Sequence, residues 1–173
     1  MDKRSRASGM VDHFLVIVEI LILLGVANGT PIFAARLLGK HFNAPLDGGL
    51  KLPDGRPLFG PSKTVRGLVL SVVCTTLAAP LLGFEWITGA GLASASMFGD
   101  LLSSFIKRRL GLRAHSQAFG LDQVPESLLP LLVLRQHLGL GYCDIAIIIA
   151  AFIVLELVLS RLLFRLHIRD RPY

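Results

Sequence analysis

Residues 86–106 read WITGAGLASASMFGDLLSSFI. That is about the 20 apolar residues an α-helix needs to cross a bilayer, yet Asp100 stands inside the run. A carboxylate at such a place costs roughly 2.5–3.5 kcal/mol even on a lenient insertion scale. Asp100, Ser103, Ser104, Lys107 and Arg108 recur at helical spacing and so share one face. This restricts the fold in two ways. The segment must be helical, because lipid offers no water to open backbone groups. Its polar stripe must face other helices or a cavity rather than lipid.

Four more apolar segments run from about 10–27, 67–83, 124–138 and 143–164. The expected fold is therefore an all-α, polytopic membrane bundle of about five transmembrane helices. It forms a single integral membrane domain over residues 1–173, with a cytoplasmic loop or hairpin region. Composition agrees: 53% of the residues are hydrophobic and the mean hydropathy is +0.63, against about 45–50% apolar content in soluble domains. The basic start and apolar run resemble a signal peptide, but no small-x-small cleavage site follows, so a retained first helix is expected. Gly25 and Gly29 give it a GxxxG packing spacing. Asn28 and Thr30 (Ala27-Asn-Gly-Thr-Pro31), where it ends, either cap the helix or break it beside a cavity. The fourth segment is the shortest and holds Pro125, Glu126 and Pro130.

Orientation follows from the basic residues. With five spans and the N-terminus outside, fourteen of the eighteen Lys and Arg fall inside. They are Arg36, Lys40, Lys51, Arg56, Lys63, Arg66, Lys107, Arg108, Arg109, Arg113, Arg161, Arg165, Arg169 and Arg171. Lys3, Arg4, Arg6 and Arg135 fall outside, and the positive-inside rule favours this arrangement. The net charge of +6 thus marks a membrane face. No aromatic-basic surface or motif points to nucleic acid, and none is expected as a partner. The histidines (13, 41, 115, 137, 167) lack metal-ligand spacing, and Cys74 and Cys143 read as small apolar residues. Residues 28–66 form the long connection. AARLLGKHF (34–42) reads as an interfacial turn of helix, and the DG, GG and PDG turns after it suggest a small cytosolic hairpin.

Three constellations carry chemistry. The Asp100 stripe joins one carboxylate, two hydroxyls and two cations, a set that suits a metal ion beside a phosphate. Ser104-Phe-Ile-Lys107 also matches S-x-x-K, but the S-D-N and K-T-G partners of serine acylating enzymes are absent. GPSKTVRG (60–67) places Lys63 and Thr64 in a loop before a helix, where backbone N–H groups attract anions. It is not a Walker A loop. In GLDQVPES (120–127), Asp122 either caps the fourth helix or, with Glu126, adds metal-ligating carboxylates on the side of Asp100.

Together these motifs resemble the CTP:phosphatidate cytidylyltransferases. GDLLSSFIKRR (99–109) is similar to their Gly-Asp-Leu, Ser-x-x-Lys-Arg signature, LDQVPES to its acidic end, and GPSKTVRG to their Ser-Pro-x-Lys-Thr loop. NGTP, LDGG, DGRPLFGPSKT and LDQ-PES resemble the small archaeal branch, the CDP-archaeol synthases. Gln123 and Pro125 depart from the wider pattern, and Phe119-Gly120 replaces a His-Gly-Gly element.

The resemblance implies transfer of CMP from CTP to an isoprenoid glyceryl phosphate lipid with release of pyrophosphate. It implies Mg²⁺ as cofactor, held by Asp100 and Asp122 with Glu126 beside them. Lys107, Arg108, Lys63 and Arg66 would clamp phosphates. Ser103, Ser104, Thr64, Asn28 and Thr30 would add hydrogen bonds, and Asp47 and Gln123 would contact cytosine or ribose. Asp100, Lys107 and Asp122 form the expected catalytic set, at the cytoplasmic end of the spans. The remaining alternatives are a phosphatidate cytidylyltransferase acting on diacyl lipid and a small anion carrier. A CDP-alcohol phosphotransferase is disfavoured because D-x-x-D-G-x-x-A-R is absent.

Overall fold

The computed structural model describes residues 3–39, 41–112 and 118–165. Lys40, Arg113, Arg169 and Arg171, counted in the topology, lie outside them, as do His115 and His167. Five α-helices follow in order: α1 Lys3–Leu38, α2 Val65–Ala78, α3 Trp86–Arg109, α4 Gln123–Leu134 and α5 Tyr142–Arg165, with a 3₁₀ turn Ala79–Leu82 after α2. No strand occurs among the described residues; the connection from α1 to α2 holds two isolated bridges, Pro45 to Thr64 and Lys51 to Pro57. By length and composition His13–Leu38, Val65–Leu82 and Tyr142–Leu162 can cross a membrane. At 24 residues α3 has the length, about 36 Å, but carries the charged stripe.

The chain alternates direction. His13, near the start of α1, bonds Asp144 at the start of α5 at 2.9 Å. Thr88, early in α3, bonds His137 just beyond α4 at 2.9 Å. These contacts define one end of the bundle. The other end gathers the end of α1, the start of α2, the end of α3 and the start of α4. The 12 residues of α4 rise about 18 Å, well short of a hydrocarbon core of about 30 Å. Its first turn meets α3 at Gly99, halfway along that helix. The fourth segment is thus a half-depth helix that begins inside the bundle.

The first helix does not end at Asn28. It runs unbroken through Asn28, Thr30 and Pro31 to Leu38, taking in the start of the expected interfacial turn. Proline normally disrupts a helix by leaving the carbonyl four residues back without its donor. Here that carbonyl belongs to Ala27, and the buried Ser71 hydroxyl of α2 donates to it at 2.6 Å. A neighbouring helix supplies the missing bond, as membrane helices allow. Pro80 does end α2, and the chain turns off through Gly83 in the left-handed conformation.

Small residues set the helix spacing, because lipid gives helices no hydrophobic reason to associate. A β-carbon on Gly89 of α3 would lie 2.6 Å from Ala79 Cβ and 2.8 Å from the Thr75 carbonyl oxygen. Glycine there lets α3 lie against the end of α2. Gly25, by contrast, faces open space, so the GxxxG spacing does not mark a close helix contact. The core knits the helices with Ile20, Leu23, Leu24, Leu92, Leu131, Ile148 and Phe152, all at most 2% exposed.

Candidate active site

The site is built where α4 meets α3. A β-carbon on Gly99 would lie 2.2 Å from the Pro125 carbonyl oxygen, so only glycine permits the crossing. The next residue gains from it. Asp100 faces Glu126 across the seam, and Glu126 is buried. Two facing carboxyls need a positive charge or a shared proton between them. Lys63 brings that charge from the loop before α2, with Nζ 2.5 Å from both Asp100 oxygens. Farther along α3, Lys107 Nζ lies 2.6 Å from Asp122 Oδ1. The Asp122 Oδ2 accepts from the Ala118 N–H at 3.0 Å. Arg108 is buried beside Gly60 and within electrostatic reach of Asp122.

Burial alone would push the Lys63 ammonium toward its neutral form. Asp100, followed by Glu126 and then Asp122, more than offsets that and holds it charged above the ordinary lysine range. Lys63, Asp100, Lys107, Arg108, Asp122 and Glu126 are therefore brought together as the sequence suggested. The acids offer only oxygen, the donor Mg²⁺ prefers. Among the described residues no three acidic, histidine or cysteine side chains form a ready metal cage. An Mg²⁺ held by one or two carboxylates plus substrate phosphates needs none, so the donor set fits this ion.

Most of the other expected contacts are spent on the scaffold. Asp47 accepts from the N–H groups of Phe59 at 2.9 Å and of Gly49 and Gly60 at 3.0 Å, so it folds the 45–64 loop rather than reaching a base. Burial works against its charge, but the Gly60, Phe59 and Gly49 donors win and hold its carboxyl below the ordinary range. Arg66 donates to the Gly39 and His41 carbonyls and to Asn43 Oδ1, tying α2 to the end of α1; it is not placed to clamp phosphate. Thr64 caps α2 by accepting from the Gly67 N–H at 3.1 Å. Gln123 Oε1 accepts from the Gly120 N–H at 2.8 Å. The Ser103 and Thr30 hydroxyls bond their own helices, at Gly99 O and Val26 O. Ser104 is buried within α3. Asn28 donates to Ser96 Oγ at 3.0 Å, one turn before Asp100.

Two features escaped the sequence reading. Arg56 donates to the Arg108 and Arg109 carbonyls, while Arg109 pairs with Asp54 at 2.6 Å and donates to Pro57 O. The 45–64 loop thus grips the end of α3 and aims Lys107 and Arg108. Glu156 of α5 lies within electrostatic range of Glu126 and lines a cleft with Asn28. The rule that singled out Asp100, an acid inside an apolar run, applies equally to Glu156.

A family model described as CarS-like, CDP-archaeol synthase, matches residues 84–173. The chain is 37% identical to a CDP-archaeol synthase of Pyrobaculum calidifontis, over 91% of this chain and 98% of that one. It is 35% identical to another from Sulfurisphaera tokodaii, over 92% and 98%. A solved intramembrane enzyme for archaeal membrane lipid biosynthesis superimposes with a TM-score of 0.63 at 28% identity, covering 80% of this chain and 91% of that one. With several apolar helices and this neighbour, the protein is a multi-pass membrane protein. The chain belongs to the CDP-archaeol synthase family.

Proposed function

We propose that this chain transfers CMP from CTP to the phosphate of a digeranylgeranylglyceryl lipid. A lipid phosphate oxygen bonds to the α-phosphorus of CTP. The bond from that phosphorus to the oxygen bridging the β-phosphate breaks, and pyrophosphate leaves. The observation that carries the reading is the pair of lysine–carboxylate contacts, Lys63 with Asp100 and Lys107 with Asp122, beside a third acid, Glu126. Family membership supplies the nucleotide and the lipid class.

A phosphate monoester is already a nucleophile, so the obstacle is bringing two anions together. Lys63, Lys107 and Arg108 meet that obstacle by binding the triphosphate. Each lysine exchanges a carboxylate for a phosphate oxygen when the nucleotide arrives. Asp100, Asp122 and Glu126 would then be the residues that hold Mg²⁺. When bound, Mg²⁺ neutralises charge on the triphosphate and on the departing pyrophosphate. The grip of Arg56, Asp54 and Arg109 keeps Lys107 and Arg108 in line. The basic residues near this end support a cytoplasmic position for it, with the N-terminus outside.

The test is purified protein with Mg²⁺, an isoprenoid glyceryl phosphate, and CTP labelled at either the α- or the γ-phosphate. Label should enter the organic phase from α-labelled CTP only. Equal or better transfer to phosphatidic acid would reassign the acceptor to ester lipids. No transfer to either lipid by folded protein would remove the enzymatic reading and favour an anion carrier.

A further inference from the structure

The cleft between α1 and α5 differs in kind from the charged seam. Gly25, Asn28 and Gly29 of α1 face Phe152, Leu155 and Glu156 of α5. Both helices have membrane-crossing stretches at these residues, so the cleft lies at membrane depth. Its width comes from the glycines. A β-carbon on Gly25 would meet nothing within 4 Å, and one on Gly29 would meet only the Phe33 ring at 3.9 Å. Its inner end runs into the seam, through the bond from Asn28 to Ser96 and the proximity of Glu156 to Glu126. An occupant must therefore be apolar along the glycine wall and polar where Asn28 and Glu156 stand. It must also end within reach of the phosphate-transfer site.

We propose that the isoprenoid glyceryl phosphate reaches the site sideways from the membrane through this cleft. Its chains lie over Gly25 and Gly29. Asn28 acts as a positioning residue at the glycerol–phosphate junction, and the phosphate passes on to the lysines of the seam. The proposal rests on the cytidylyl-transfer reading above and assigns the second substrate a place in it.

The experiment fills the cleft. Gly25→Leu and Gly29→Leu add bulk where the fold leaves space, and leucine favours a helix over glycine, so folding survives. Val69→Leu, on an exposed face of α2, is the control. Lipid KM, binding of labelled CTP with Mg²⁺, and attachment of a photoreactive isoprenoid glyceryl phosphate are measured together. The expected result is a rise in lipid KM of at least about ten-fold with CTP binding unchanged. Photolabel should fall on α1 and α5 in the unaltered protein and be lost in both glycine variants. Asn28→Ala should also raise lipid KM and leave CTP binding intact. Unchanged lipid KM in both glycine variants, or photolabel on other helices, would overturn the cleft assignment. Unaltered protein that takes the photolabel on α1 and α5 yet transfers no α-label would instead overturn the cytidylyl reading and leave a lipid-phosphate site.

Discussion

The α3–α4 seam and the 45–64 loop are both rich in polar residues, yet they use them in opposite ways. In the loop Asp47 bonds backbone N–H groups and Thr64 caps α2, and just past it Arg66 bonds chiefly to backbone carbonyls. Such bonds are part of the fold, and breaking one leaves a backbone group without its partner. In the seam, long lysine side chains meet carboxylates. Either partner can be replaced by a ligand of the same charge without moving the backbone. A residue type in a motif therefore says less about function than the kind of group that holds it.

Substitutions test this contrast. The largest effect should come from Asp100→Asn. Cytidylyl transfer should fall at least about 100-fold while the unfolding midpoint in detergent barely moves; near-normal turnover would remove Asp100 from the metal assignment. Next is Gly99→Ala, whose β-carbon collides with the Pro125 carbonyl. Overpacking of this kind costs about 1–3 kcal/mol, so both stability and activity should drop. A fully active, equally stable variant would mean that the crossing does not depend on glycine.

Lys107→Ala should raise the KM for CTP about ten-fold and affect lipid KM little. An unchanged CTP saturation curve would count against its phosphate role. The smallest effect should be Asp47→Asn, which weakens the loop by about 1 kcal/mol and leaves kcat near normal. A large loss of kcat at full stability would return Asp47 to the nucleotide.

The same loop predicts a pH response. The Asp47 carboxyl is held below its ordinary value in the folded chain. Its contribution is therefore complete above the unfolded value of about 3.9 and is lost as pH falls through the lower folded value. Thermal melts across the acid range should show a shallower decline for Asp47→Asn than for the unaltered protein. Parallel curves would mean that other groups set the acid limit.

The bundle and the acid–lysine cluster were legible in the sequence because their signals are local. Apolar runs announce helices, and an acid inside one announces a site. Asp100, Lys63, Lys107 and Asp122 needed only the motif order to be grouped. What stayed hidden depended on partners far along the chain. Nothing near Pro31 reveals that Ser71 will complete its helix, and nothing near Asp47 reveals that Phe59 and Gly60 will take its oxygens. The shortness of α4 was visible in the sequence, but its depth was not, because that depends on where its first turn meets Gly99 of α3, a partner outside the segment. Glu156 was open to the rule already in use, but it stands in no motif.

The bond from Ser71 to the Ala27 carbonyl also bears on how the chain is made. While α1 is alone in the membrane, that carbonyl has no donor, and an unmet backbone group in hydrocarbon costs several kcal/mol. The donor arrives only with α2, 44 positions later. The first two helices should then settle as a hairpin rather than one at a time. Stalled nascent chains that extend past Ser71 should integrate α1 more completely than chains released before it, and Ser71→Ala should erase that difference.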